Sequence, residues 1–326
     1  MTAEVMTPPD YADLSGPEPY TRIQDDQSWD SQYLELVKPE RTFSFGDFAG
    51  VESGGPKAFS ELALTTPFRL LNDEGIAIVQ RIIGQLEAHA ITSERTPKYV
   101  SGAVYRSEFL RGFYSDPSVM QFLSELAQVP LSPLPVPYQA LHLNFAPDDI
   151  RRNVDKWHTD SVSFNWVMMV SDPGPMKGGE LQAYLGLPEE GQDILSAAGD
   201  LPADRVVSID WPGPGWCVFQ QGHRLLHQVT PLLEPYRRMT MVASYYTTVP
   251  GMTDPIDRKP LNALNQTDDR DYTLVEWSRH KALLAAKELE DFAASKTDFR
   301  LPISEVRDSL QSSIAEVQRV LAAFDA

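Results

Sequence analysis

The chain has 326 residues, 42% of them hydrophobic, with 46 acidic against 28 basic side chains and a single cysteine. This composition excludes a disordered or fibrous chain, an internal disulfide and a cysteine-rich metal site. The formal net charge of −18 creates a field that repels polyanions, so no nucleic-acid partner is expected.

The opening MTAEVMTPPDYADLSGPEPY has no basic start followed by an apolar core. No apolar run approaches membrane-spanning length, and the expectation is a cytoplasmic protein with no membrane partner. Residues 1–55 carry Pro, Asp, Ser and Gly with little periodicity and read as an irregular arm with at most one short strand. Beyond it Leu70, Leu71, Ile76, Ile78, Val79, Ile82, Ile83 and Leu86 recur at helical spacing. A second helical segment covers about 104–127, with Asp116-Pro117 as a break and restart. The pattern then changes to short apolar or alternating runs bounded by Gly, Pro and Asp. Strands are predicted near 137–145, 163–171, 179–186, 205–210, 215–220, 225–230 and 237–248. These imply an α+β chain with a sandwich or jelly-roll core. The end is helical again, and Ile303, Val306, Leu310, Ile314, Val317, Leu321 and Phe324 form a stripe that must be covered by the sheet or by another subunit. Three regions result: the arm at 1–55, a domain at 56–250, and a C-terminal helical extension at 251–326, through which a homodimer could form.

The stretch DKWHTDSVSFNWVMMVSD, residues 155–172, places His158 and Asp160 two apart at the edge of an apolar run. On a strand both side chains project to one face, which makes half a metal site. His227, on a later predicted strand, offers the third ligand. Two histidines and one carboxylate on one face of an ion leave adjacent positions open, as in non-haem Fe(II) oxygenases. The pair alone is a weak signal; the order of the motifs C-terminal to it is a stronger one. GGEL at 178–181, GWCVF at 215–219 and HQVTP at 227–231 precede Arg238, with ten residues between His227 and that arginine.

That series, over about 137–248, resembles the iron(II) and 2-oxoglutarate-dependent dioxygenase superfamily, with the motif order of the prolyl hydroxylases. The resemblance implies a double-stranded β-helix flanked by helices, Fe(II) on His158, Asp160 and His227, and 2-oxoglutarate and O2 as co-substrates. It also implies hydroxylation of an unactivated C–H bond with release of succinate and CO2. Arg238 suits the far carboxylate of the 2-oxo acid, because its planar fork makes two charge-assisted hydrogen bonds. Thr240 alternates onto the same strand face, whereas Arg237 points the other way and is the second choice. His223 competes with His227, but the family's valine and proline come after His227 alone, as Val229 and Pro231. Halogenating relatives place a small residue where Asp160 stands, so hydroxylation ranks above halogenation.

Candidate substrate contacts are weaker. His142 and Asn144, two apart in LHLNFAPDD, line the cavity or are satisfied core groups. Trp157 and Trp166 wall the pocket or belong to the core. Arg224 attracts an anionic substrate or is surface charge; Gly178 and Gly179 make a turn; Cys217 is core. The substrate is a small molecule, amino-acid-like or another metabolite, and a peptidyl hydroxylase stands as an alternative. A cupin-like Zn or Mn hydrolase or isomerase is the other alternative, in which Arg238 has no task. The 250–272 loop and the helical ends are assigned to the lid and any dimer contact.

Overall fold

The computed structural model describes residues 22–247, 254–256, 270–294 and 303–324. The start of the arm and most of the 250–272 loop lie outside the described residues. Helices α1 (Asp73–Leu86), α2 (Ala103–Arg106), α3 (Glu108–Tyr114) and α4 (Pro117–Ala127) occupy the N-terminal half. They are succeeded by α5 (Pro137–Ala140), α6 (Pro188–Ala198), α7 (Arg270–Ala294) and α8 (Ile303–Phe324). The strands are β1 (Thr42–Ser44), β2 (Leu62–Thr65), β3 (Phe68–Arg69), β4 (Tyr99–Val100), β5 (Ser132–Pro133), β6 (Leu141–Phe145) and β7 (Asp155–His158). Then come β8 (Phe164–Met169), β9 (Leu181–Tyr184), β10 (Val206–Ser208), β11 (Trp216–Gln220), β12 (His227–Val229) and β13 (Met239–Tyr246).

Local chemistry sets the helix starts. The Asn72 side chain accepts a hydrogen bond from Gly75 N at 2.9 Å, and Asp73 and Glu74 sit in the first turn of α1, against the positive end of its dipole. Asp116 caps α4, whose first residue is Pro117, so the expected break and restart is present.

Two antiparallel sheets form the body. The larger runs β1-β2-β11-β8-β13-β6-β4, with β3 on β11 and β5 on β13; the smaller runs β10-β9-β12-β7. Alternation along β8 explains how the layers assemble. Phe164, Trp166 and Met168 join the buried cluster that includes Ile78, Val79 and Phe113 of the helices, while Val167 and Met169 pack with Leu181, Ala183 and Val229 of the smaller sheet. The larger sheet is therefore covered on one face by helices and on the other by its neighbour.

Some expectations change. The strand predicted from 137 begins at Leu141, because Pro137 opens the short helix α5. Strands β2 to β5 were not predicted; each is only two to four residues long, too short for an alternating pattern to register. The stripe on α8 is not covered by the sheet: Ile303, Leu310, Ile314, Val317, Leu321 and Phe324 are exposed. Of the predicted stripe, Val306 alone is half-buried. Among the described residues no helix is long and apolar enough to cross a membrane.

Candidate active site

A cavity opens between the two sheets, and its walls are set by strand register. In the smaller sheet His227 lies directly across from His158, and Val229 across from Asp155. Cross-strand partners bring their side chains together, and the two imidazole rings are 4.2 Å apart, centroid to centroid. The register slips between these two pairs, so β7 carries an extra residue. That bulge lets Asp155 and His158, three residues apart, both line the cavity.

Asp160 is not on the strand with His158, contrary to the sequence-based expectation. β7 ends at His158, and the chain turns so that Asp160 N donates to Gly222 O at 3.0 Å. The carboxylate still meets both rings: Asp160 Oδ1 is 3.3 Å from His158 Nε2, and Asp160 Oδ2 is 3.5 Å from His227 Nε2. Each histidine turns its other nitrogen to a backbone carbonyl. His158 Nδ1 is 2.6 Å from Lys156 O and His227 Nδ1 is 2.9 Å from Leu225 O, contacts in which Nδ1–H donates and Nε2 keeps its lone pair. The three donor atoms lie within 4.8 Å of one another. Cis ligands on an ion with bonds of about 2.0–2.2 Å sit about 3 Å apart, so the set fits one metal ion.

Neighbours hold this set in place. Asn165 Nδ2 donates to Asp160 Oδ2 at 2.8 Å. Arg95 makes a two-point pair with Asp155, at 2.9 and 3.2 Å, and Asp155 Oδ1 is 3.6 Å from His158 Nδ1. Burial opposes the Asp160 charge, yet His227, His158 and Arg95 outweigh it and keep the carboxyl far below its usual range. Burial, reinforced by His158, pushes His227 down to about 4, so it is neutral and able to bind metal at physiological pH. A Cβ on Gly222 would stand 2.5 Å from Asp160 Oδ2 and 2.8 Å from Asn165 Oδ1. Glycine is what permits this close approach.

The opposite wall is built by the larger sheet. Thr240 of β13 pairs with Asn144 of β6 and Met169 of β8; Val242 pairs with His142 and Val167; Ser244 pairs with Asn165. His142, Asn144, Asn165, Thr240 and Ser244 all line the cavity. Behind Thr240 lies Arg238, 1% exposed. Its Nε donates to Gly179 O at 2.9 Å and its Nη1 to Thr240 Oγ1 at 3.2 Å. Its Nη2 is buried without a hydrogen-bond partner among the described residues. Burial lowers the guanidinium to about 10 against the pull of Asp155, which leaves it charged at neutral pH. Gly179 does more than turn the chain. Its φ of +64° is the left-handed conformation that favours glycine, its carbonyl accepts from Arg238, and a Cβ there would meet Arg238 Cδ at 3.1 Å.

Other predicted residues fall elsewhere. Arg237 is exposed and pairs with Glu87 at 2.9 Å. His223 sits in a short 3₁₀ turn between the carbonyls of Ser163 and Lys57. Trp157 does not line the cavity: alternation turns it to the far face of the smaller sheet, against Tyr184, Leu201 and Leu226. Trp166 faces the helices and donates through Nε1 to Tyr245 Oη at 2.9 Å. Arg224 is buried against Gly54 O and Glu189, away from the cavity. Residues not singled out from the sequence are Asp155, Arg95, Asn165 and Gln139, all at the cavity. Asn165 had a visible signal, an amide inside the apolar run FNWVMM.

A two-His, one-carboxylate donor set between antiparallel sheets, with an arginine immediately before a strand of the facing sheet, is the arrangement of the iron(II) and 2-oxoglutarate-dependent superfamily. Within it, residues 54–263 match the family model described as Halogenase D, and the chain belongs to that family. No curated protein matches the chain. Among solved structures it is similar to AviO1 from Streptomyces viridochromogenes Tue57 at 18% identity, covering 59% of this chain and 91% of that one, with a TM-score of 0.45. It is similar to the non-heme alpha ketoglutarate dependent epimerase SnoN from nogalamycin biosynthesis at 17% identity, covering 57% and 79%, TM-score 0.43. EctD from S. alaskensis with bound Fe is 12% identical, covering 70% and 91%, TM-score 0.45.

Proposed function

We propose that the protein is an Fe(II)- and 2-oxoglutarate-dependent dioxygenase on a double-stranded β-helix, and that it hydroxylates an unactivated C–H bond of a small, amino-acid-like molecule. The observation that carries this reading is Arg238. It is a buried cation with a free Nη2 and no carboxylate bonded to it among the described residues, one hydrogen bond away from a hydroxyl on the cavity wall. Burying an unpaired charge costs on the order of several kcal/mol. A 2-oxo acid that sets its far carboxylate on Arg238 and Thr240 offsets that cost. A zinc hydrolase would leave the guanidinium without a partner.

His158, Asp160 and His227 hold Fe(II), and Asn165 steadies one Asp160 oxygen so that the other can ligate. Bound iron and 2-oxoglutarate supply the activation of O2 and the oxidising power, with CO2 and succinate as by-products. Val167, Leu181, Val229 and Val242 line the same cavity and exclude water from it. The cavity is lined by polar groups as well as these apolar ones, the mixture that encloses and orients a small ligand. Arg95 and Asp155 line the cavity as a mutual ion pair, and Gln139 Oε1 is a buried acceptor without a partner among the described residues. An ammonium or other N–H donor on the substrate matches that acceptor.

The family's description favours a second reading, halogenation. Asp160 argues against it, because the carboxylate fills the coordination position that a halide would need. The test is to incubate the iron-loaded protein with 2-oxoglutarate, O2, chloride and a panel of amino acids. Substrate-stimulated succinate release with a product heavier by one oxygen atom supports hydroxylation; a chlorinated product supports the second reading. Absence of 2-oxoglutarate turnover in protein that binds zinc refutes both.

A further inference from the structure

The C-terminal helices lie beyond the residues matched by the family, which end at 263. They pack on each other and are joined to the body through Trp277, buried with Ile256, Tyr246 and Val162. α8 buries its more polar side. Ser313, 3% exposed, donates to Glu288 Oε2 at 2.7 Å, and Glu316 lies 3.5 Å from the buried Lys281, which also donates to Asp254 at 2.7 Å. The opposite side carries Ile303, Leu310, Ile314, Val317, Leu321 and Phe324, between 39% and 81% exposed. Rolling α8 to bury them would pull Glu316 from Lys281 and Ser313 from Glu288. The orientation is therefore fixed by these polar anchors together with Val320 and Ala323, which pack on the Trp277 cluster, and the larger apolar face is left for something else.

The spacing of that face says what. From 303 the positions step by seven, four, three, four and three residues, and the one gap in the alternating three-four series is Arg307. This is a heptad seam over three repeats, which is built to meet another helix rather than a flat sheet. The flanking Ser304, Gln311 and Gln318 are uncharged. In a chain of net charge −18, uncharged flanks remove the repulsion that would otherwise oppose contact with a second copy. The 22-residue helix is about 33 Å long. A paired seam of that length reaches the scale of the roughly 1,200 Å² total burial at which specific dimers become stable.

We propose that α8 pairs with α8 of a second copy of this chain, antiparallel, about a two-fold axis near Ile314. A parallel pair would set Arg307 against its own copy. The antiparallel pair moves it to the C-terminal half of the partner helix, at the negative end of the dipole. This assembly does not depend on the catalytic reading.

Light scattering coupled to size exclusion, on the full chain at micromolar concentration, should give twice the 36.5 kDa of one chain. Leu310→Glu with Ile314→Glu, neither of them opposite Arg307, should halve that mass while the circular dichroism spectrum and metal content stay unchanged. A wild-type monomer overturns the proposal, whether hydrogen exchange finds 303–324 open or covered by the chain's own remaining residues; so does a dimer that survives the double substitution. Cys217 is buried, so an introduced cysteine reports alone. Ile314→Cys should cross-link copies under oxidation and Ile303→Cys should not. Cross-linking through Ile303→Cys would overturn the antiparallel arrangement.

Discussion

The two walls of the cavity are stabilised by different physics. The smaller sheet, with strands of three or four residues and a bulge in β7, positions its histidines through register and backbone carbonyls, leaving His158 half-buried. The larger sheet buries every residue of β8 and all but one of β13, and it holds Arg238 as a cation with no counter-charge bonded to it among the described residues. On the proposed reading the histidine wall is a metal wall set by local geometry, and the Arg238 wall is an anion wall set by desolvation. Changes on the first should remove metal; changes on the second should spare metal and weaken the 2-oxo acid.

The largest effect falls on the metal wall. His158→Ala, Asp160→Ala and His227→Ala should each abolish iron binding and 2-oxoglutarate turnover with an unchanged circular dichroism spectrum, because a site is deleted rather than a core. Unchanged iron content in the purified variants would remove the basis for the assignment. Arg238→Ala comes next. Losing one partner of a buried charged contact costs about 2–5 kcal/mol, so the KM for 2-oxoglutarate should rise about 30-fold or more while iron content holds. Arg237→Ala should change neither quantity, since its guanidinium is at the surface with Glu87. If Arg237→Ala raised KM instead, the register of β13 would be off by one residue.

Gly222→Ala tests how closely the metal wall is fitted. The methyl would stand 2.5 Å from Asp160 Oδ2, so the carboxylate must move, and iron affinity should fall by tens of fold in a metal titration. An affinity equal to wild type would mean that the loop can shift without cost.

The seven predicted strands of the second half and the His158, Asp160, His227 and Arg238 series were legible because motif order and alternation are local signals. The bulge in β7 was not legible, and Asp155 was missed with it, since three-residue spacing puts a side chain on the wrong face of a regular strand. Trp157 and Trp166, read as pocket wall or core, fall on the core side for the complementary reason. Each neighbours a cavity residue, His158 and Val167 respectively, and alternation turns each away from the cavity. The orientation of α8 was also hidden, because a helical wheel shows an apolar stripe but not the buried Lys281 and half-buried Glu288 that hold the other side.

Asn165 gives the smallest effect and the sharpest discrimination, because it stands on the anion wall and serves the metal wall. It belongs to β8, yet its Nδ2 reaches Asp160 Oδ2 at 2.8 Å. If the two walls act separately, Asn165→Ala should lower iron affinity about 10-fold, the effect of losing an outer contact to a metal-binding carboxylate. The KM for 2-oxoglutarate should stay the same, since Arg238 and Thr240 are untouched. Titrating iron and 2-oxoglutarate separately reads the two walls apart. A raised KM with intact iron affinity would show that Asn165 works for the sheet it belongs to, and the division of labour between the walls would then have to be abandoned.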